Sequence, residues 1–189
     1  MATINQTQRR QLIARAEGFL ELATALGDDR SLSVESRTRM ADRCLACLNR
    51  IESPLGHKPY VLFLKGQAAR LAQRHELAVH YLEQSRRIDP DNIHVCFALA
   101  WSLKRCGRLD QSVATMRQAV ELDATSPLAH YNLACYLALQ GDIDKALWHL
   151  ACAVELNDEL GELAWQEPDF EPIRTDPRFA SLAANVKSA

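Results

Sequence analysis

Six cysteines and six histidines are the residues of this 189-residue chain best suited to metal or nucleophile chemistry. Cys44 and Cys47 stand as Cys-x-x-Cys, a spacing used by zinc ribbons and dithiol redox sites. Those sites hold the pair in a tight turn with two more ligands nearby. Here the pair falls inside a helical pattern, with no turn before it and no second pair. His149 and Cys152 are one helical turn apart, and with Cys135 they make a second candidate set of soft ligands. His57, His75, His80, His94 and His130 form no set with ligand spacing. A catalytic base also needs a nucleophile or an orienting acid beside it, and none can be named. The chain lacks a phosphate-cradling Gly loop, an HExxH motif and a Gly-x-Ser-x-Gly elbow. These observations point to a non-enzyme without metal or cofactor, its thiols serving as small apolar packing groups.

The bulk numbers narrow the class further. Basic and acidic residues number 22 and 24 and give a net charge of −2. With no basic block to neutralise phosphates, nucleic acid is not the expected partner. Arg15, Glu17 and Glu21 interrupt the N-terminal apolar residues, against a signal peptide. No apolar run approaches the roughly 20 residues of a membrane span. The expectation is a soluble, cytoplasmic protein whose even cysteine count does not signal disulfides.

The elements that position these residues are written twice over. The tetrapeptide AVEL occurs at Ala119–Leu122 and again at Ala153–Leu156, 34 residues later. Alignment at that offset puts small residues in register: Gly66, Ala100 and Ala134, then Ala78, Ser112 and Ala146, then Ser85, Ala119 and Ala153. Large apolar columns lie between them: Leu82, Met116 and Leu150, then Ile88, Leu122 and Leu156. Small residues let two helices approach, and large ones fill the space alongside. Each unit reads as two amphipathic helices with a turn. Leu133, Ala134 and Leu137 mark one face of the last unit's first helix, and Gly141-Asp142 ends it. Ala146, Leu147, Leu150, Ala153 and Val154 mark the second. Gly107 takes the turn position in the middle unit and Gln73 in the earlier one, and Pro90 closes that unit.

This pattern resembles the tetratricopeptide repeat, whose period is 34 residues. The resemblance covers residues 59–158 as units 59–92, 93–126 and 127–160. LACYLALQGDIDKALWHLACAVELND is similar to a nearly complete consensus unit. Departures exist: Leu62, Cys96 and His130 replace the usual Trp, Ala69, Leu103 and Leu137 the usual Tyr, and only one unit has the closing Pro. The resemblance implies an all-α fold, a right-handed α-solenoid of antiparallel helix pairs. It also turns Cys135 toward the groove and His149 and Cys152 elsewhere, which removes the second metal candidate.

Residues 1–58 are less regular. One helical pattern runs from about Gln8 to Leu26 and ends at Gly27-Asp28-Asp29; a second runs from about Val34 to Ile51 with Ser33 as N-cap. They read as a divergent first repeat with an insertion, a separate capping hairpin being the alternative. At the other end, a stacked array needs a cap for its last apolar face. Trp165, Phe170, Ile173, Phe179 and Leu182 can supply one over 161–189, and Asp176-Pro177 can start a final helix. The segment resembles the closing sequence of many bacterial tetratricopeptide proteins, which implies a bacterial source.

In that family the first helices line a concave groove. Carried over residue by residue, the resemblance implies a groove formed by Tyr60, Phe63, Gln67 and Arg70, then His94, Phe97, Trp101, Lys104 and Arg105, then Leu128, Tyr131, Asn132 and Cys135. Aromatics collected beside Arg are the makings of a binding hot spot. A peptide or helix with apolar anchors and a few acids fits that set, with Asn132 at a position that holds a ligand's main chain in peptide-binding relatives. Phe63, Gln67 and Leu128 replace the polar groups of the dicarboxylate clamp, against recognition of an acidic chaperone tail. The leading expectation is a non-catalytic interaction module binding a protein or peptide in the groove. The alternative is a secretion-type chaperone, dimeric through its N-terminal helices.

Overall fold

The computed structural model describes residues 4–24, 33–51 and 58–183; the expected helix end at 27–29 and His57 lie outside them. Among the described residues ten α-helices follow in chain order: α1 Gln6–Thr24, α2 Val34–Asn49, α3 Pro59–Leu71, α4 His75–Ile88, α5 Ile93–Arg105, α6 Leu109–Leu122, α7 Pro127–Gln140, α8 Ile143–Leu156, α9 Glu159–Gln166 and α10 Pro177–Ala183. A 3₁₀ turn at Pro168–Ile173 separates the last two. No strand occurs among the described residues, and none of their helices is long and apolar enough to cross a membrane. The helices group into two compact units, with α1 to α5 in residues 1–106 and α6 to α10 in residues 107–189.

Helix ends follow local chemistry. Ser33 accepts a hydrogen bond from the Ser36 amide and starts α2; Asn92 and Ser126 do the same for α5 and α7. Gly141 ends α7 in the left-handed conformation, at φ 85°. Gly107 follows α5 at φ 74°, and Gln73 takes the same turn after α3 at φ 58° with a side chain attached.

In the first unit α1 and α2 pack on α3 around Leu12, Ala16, Ala41, Cys44, Leu48, Val61 and Leu64. The other side of α3 packs on α4, and α4 on α5, around Ala69, Ala78, Leu82, Val95 and Leu99. Each fully buried Leu contributes on the order of 1.5–3 kcal/mol by leaving water. The small column explains the closeness of α3 and α4: a Cβ placed on Gly66 would stand 2.6 Å from Leu82 Cγ. Ser85 reinforces the pair, its hydroxyl donating to the Pro59 carbonyl at 2.8 Å.

In the second unit α7 and α8 pack on each other with Leu133, Ala134, Leu137, Ala146, Leu150 and Ala153 buried. The cap folds over them. Phe170, Ile173 and Phe179 are almost completely buried, and Phe170 and Phe179 meet at 5.6 Å between ring centroids. Trp165 stays 40% exposed and meets Phe179 with its edge. Asp176 accepts from the Arg178 amide, and the Arg178 guanidinium reaches both Asp176 and Asp144 at the start of α8. One expectation is corrected. Ile88, Leu122 and Leu156, aligned as a large apolar column, are exposed, each being the last residue of its helix.

Gly66→Ala tests the close approach. Overpacking costs about 1–3 kcal/mol, against a helix-propensity gain of about 1 kcal/mol for Ala over Gly. The expected result in urea denaturation is a lower midpoint with an unchanged slope; a raised midpoint would show that Leu82 yields freely.

Candidate functional site

The cysteine pair sits in packing positions of the first unit. Cys44 is wholly buried in the first unit's core and Cys47 half-buried. Burial, with Cys47 adding, pushes the Cys44 thiol up to about 12, the condition of a packed thiol rather than a nucleophile. None of the six cysteines is joined in a disulfide. Among the described residues no group of three or more His, Cys, Asp or Glu side chains is arranged to hold a metal ion.

The first unit instead opens a cavity of about 700 Å³. Helix periodicity places its walls. Phe63, Leu64, Gln67, Arg70 and Leu71 come from one face of α3, and Trp101 and Arg105 from one turn of α5. Leu20, Glu21 and Thr24 close it from α1, Arg37 from α2, His75 from the start of α4 and Gln73 from the turn before it. Trp101 is its centre. The Arg70 guanidinium lies 4.5 Å from the indole centroid and that of Arg105 5.9 Å, both within cation–π range. Arg70 Nη1 also donates to Gln67 Oε1 at 2.5 Å, which fixes its aim. The His75 ring meets Trp101 edge-on at 5.3 Å. Burial, then the charges of Arg105 and Arg70, hold that imidazole below its ordinary range.

The other expected site residues fall differently. Tyr60 is half exposed beside α1, its hydroxyl donating to Glu17 Oε1 at 2.5 Å. That hydrogen bond, with burial and the charges of Glu17 and Glu21, pushes the phenol up to about 12. Phe97 and Lys104 are half-buried on α5, and His94 is exposed at its start. In the second unit Asn132 is half-buried and Leu128 exposed. Tyr131 and Cys135, expected in the groove, are buried. Tyr131 packs edge-on against Phe170 at 5.5 Å, so the 3₁₀ turn of the cap covers it. Burial raises its phenol, with Cys135, Glu167 and Asp169 adding.

One arrangement was not anticipated. His130, taken as belonging to no set, and His149, grouped with Cys152 and Cys135, meet across the α7–α8 pair with Nδ1 atoms 3.0 Å apart. His130 Nε2 faces the Ala124 carbonyl at 3.2 Å. A carbonyl only accepts, so His130 Nε2 carries a proton and donates to it, leaving Nδ1 to meet His149. Trp148 stacks its edge on His149 at 4.6 Å. Burial, then His130 and Arg117, hold the His149 imidazole down to about 4. The pairing signal was present only as one histidine on each helix of a pair, which spacing within a helix does not reveal.

Residues 69–134 match the family model described as tetratricopeptide repeat. That segment carries the tetratricopeptide repeat. Among solved structures the chain is similar to YrrB, described as a TPR protein with an unusual peptide-binding site. The TM-score is 0.65 at 16% identity, over 96% of this chain and 90% of that one. It is also similar to MamA from RS-1, at TM-score 0.60 and 17% identity over 84% of this chain and 98% of that one. For MamA from AMB-1 the values are 0.59 and 22%, over 80% and 91%. At these identities the likeness is one of fold, that of all-α tetratricopeptide solenoids. No curated protein sequence matches the chain.

The histidine pair makes stability depend on acid. His149 stays neutral in the folded protein down to about pH 4, whereas an unfolded histidine takes its proton near 6.5. Over that window the unfolded state binds more protons, so folding stability falls as pH falls, and this contribution levels off below about 4. His149→Gln keeps a hydrogen-bonding amide opposite His130 and removes the His149 titration. Urea denaturation across the window is expected to show a shallower loss for this variant than for the parent; parallel curves would refute the assignment.

Proposed function

We propose that this protein is a non-catalytic interaction module whose first unit grips a peptide or helix of a protein partner in the Trp101 cavity. Tetratricopeptide repeats are typically interaction scaffolds, and a solenoid presents its first helices as an extended binding surface. The observation that carries the reading is Trp101 itself. A large indole on a half-exposed face, held by two guanidinium groups and an imidazole and flanked by Phe63, is built as an anchor rather than as core. Tyr60, Gln67, Phe97, Lys104 and His94 extend the same face of α3 and α5. In the second unit Asn132 and Leu128 are the candidates that remain, since Tyr131 serves the cap. α1 and α2 use their apolar faces on α3, which leaves a dimeric secretion-type chaperone less surface from which to build an interface.

Affinity capture from the native host, with Trp101→Ala and Phe97→Ala beside the parent, tests this. A hot-spot residue costs about 2 kcal/mol or more on truncation, roughly thirty-fold in affinity. Species captured by the parent are expected to disappear with Trp101→Ala while circular dichroism remains unchanged. Undiminished capture by a folded variant would end the reading.

A further inference from the structure

Resting on the partner-binding reading above, the charge of the Trp101 cavity narrows what the partner brings to it. Three guanidinium groups, those of Arg37, Arg70 and Arg105, line it against one carboxylate, Glu21, among its described residues. Two of them stand beside the indole, so an apolar floor adjoins positive charge. His75 completes the cluster in an unusual condition. It is the first residue of α4, where the helix dipole places partial positive charge. Its Nδ1 is buried and has no hydrogen-bond partner among the described residues. The other charged groups around it are Glu76 on α4, Arg74 in an ion pair with Asp42 at 2.6 Å, and Arg37 and Glu21 on the cavity wall. Burial, Arg105 and Arg70 dominate and oppose its protonation. An anion entering this cavity reverses the balance, since a nearby opposite charge favours the imidazolium.

We propose that the cavity seats an Asp or Glu side chain of the partner beside Trp101, within reach of Arg70 and Arg105, and that His75 takes up a proton from solvent as the carboxylate enters. The imidazolium then adds a third positive group to the two guanidinium groups, and the partner's neighbouring apolar atoms lie on the indole. Recognition becomes linked to pH. In the free protein His75 titrates below 6.5, and in the complex higher. Affinity is level above the complex's midpoint, rises as pH falls through it, and levels again below that of the free protein.

Hexaglutamate, capped at both ends, and hexaglutamine are suitable probes for the isotope-labelled full chain. The readouts are the Trp101 indole N–H and the His75 ring resonances, with inorganic phosphate as a third arm. Hexaglutamate is expected to move both signals, raise the His75 midpoint and bind roughly three-fold or more tighter at about pH 6 than at about pH 8. Arg105→Gln, at an exposed position, is expected to weaken binding at both pH values; His75→Gln is expected to bind with the pH dependence gone. No response of Trp101 to hexaglutamate, an equal response to hexaglutamine, or binding that leaves the His75 midpoint unmoved would overturn the proposal. Response to phosphate alone would also overturn it, by making the cavity a small-oxyanion site. Failure here with Trp101-dependent capture intact removes the carboxylate and leaves the partner-binding reading standing.

Discussion

Gly66 and Leu82 lie so close that no side chain fits between them, and the first unit's geometry follows from that contact. A helix with a bare patch at 66, flanked by Leu62 and Ala69, lets α4 settle directly on its backbone. The settled pair brings Ser85 to the Pro59 carbonyl and presents the far side of α4 to α5. Residues 63, 67 and 70 follow the packing positions 62, 66 and 69 by one place each, so they emerge about 100° around the same helix. Packing on one face therefore aims Phe63, Gln67 and Arg70 into the cavity. The site is a by-product of how the helices close, and its precision is inherited from the core.

What could be read from the chain without coordinates divides along the same line. The helix pairs, their turns at Gln73, Gly107 and Gly141, and the aromatic and basic character of α3 and α5 all follow from a period of 34 and from helical spacing. The cap's buried Phe170, Ile173 and Phe179 follow instead from the need of a stacked array to cover its last apolar face. The contribution of α1 and α2 to the cavity did not follow, because residues 1–58 have no counterpart in the repeat to supply a register. His75 was hidden for a related reason: it begins a second helix, whereas the groove positions were counted along first helices. Tyr131 occupies a groove position by count, yet the end of an array differs from its middle, and the cap claims it. Ile88, Leu122 and Leu156 match from unit to unit but end their helices, so similarity between copies did not amount to burial.

Two histidines in this protein resist protonation for different physical reasons. His149 is held neutral mainly by burial against α7 and Trp148. The cost of charging it is removed by returning it to water. His75 combines burial with the repulsion of Arg70 and Arg105 at the edge of an open cavity. Part of its cost is removed by any negative charge placed nearby, with the fold intact. The same side chain thus reports on folding in one unit and on the contents of a cavity in the other.

The turn at Gln73 carries a last consequence. Gly107 and Gly141 adopt left-handed conformations that cost them nothing, while Gln73 accepts a penalty of roughly 1–2 kcal/mol for the same geometry. Gln73 lines the cavity, so this is the turn at which ease of the backbone has been exchanged for a side chain. Repeat arrays engineered toward an averaged sequence would place glycine there and gain stability. They would also erase a feature that separates this cavity from the turns of its sister repeats, so the least regular turn is the one to leave untouched when the scaffold is redesigned.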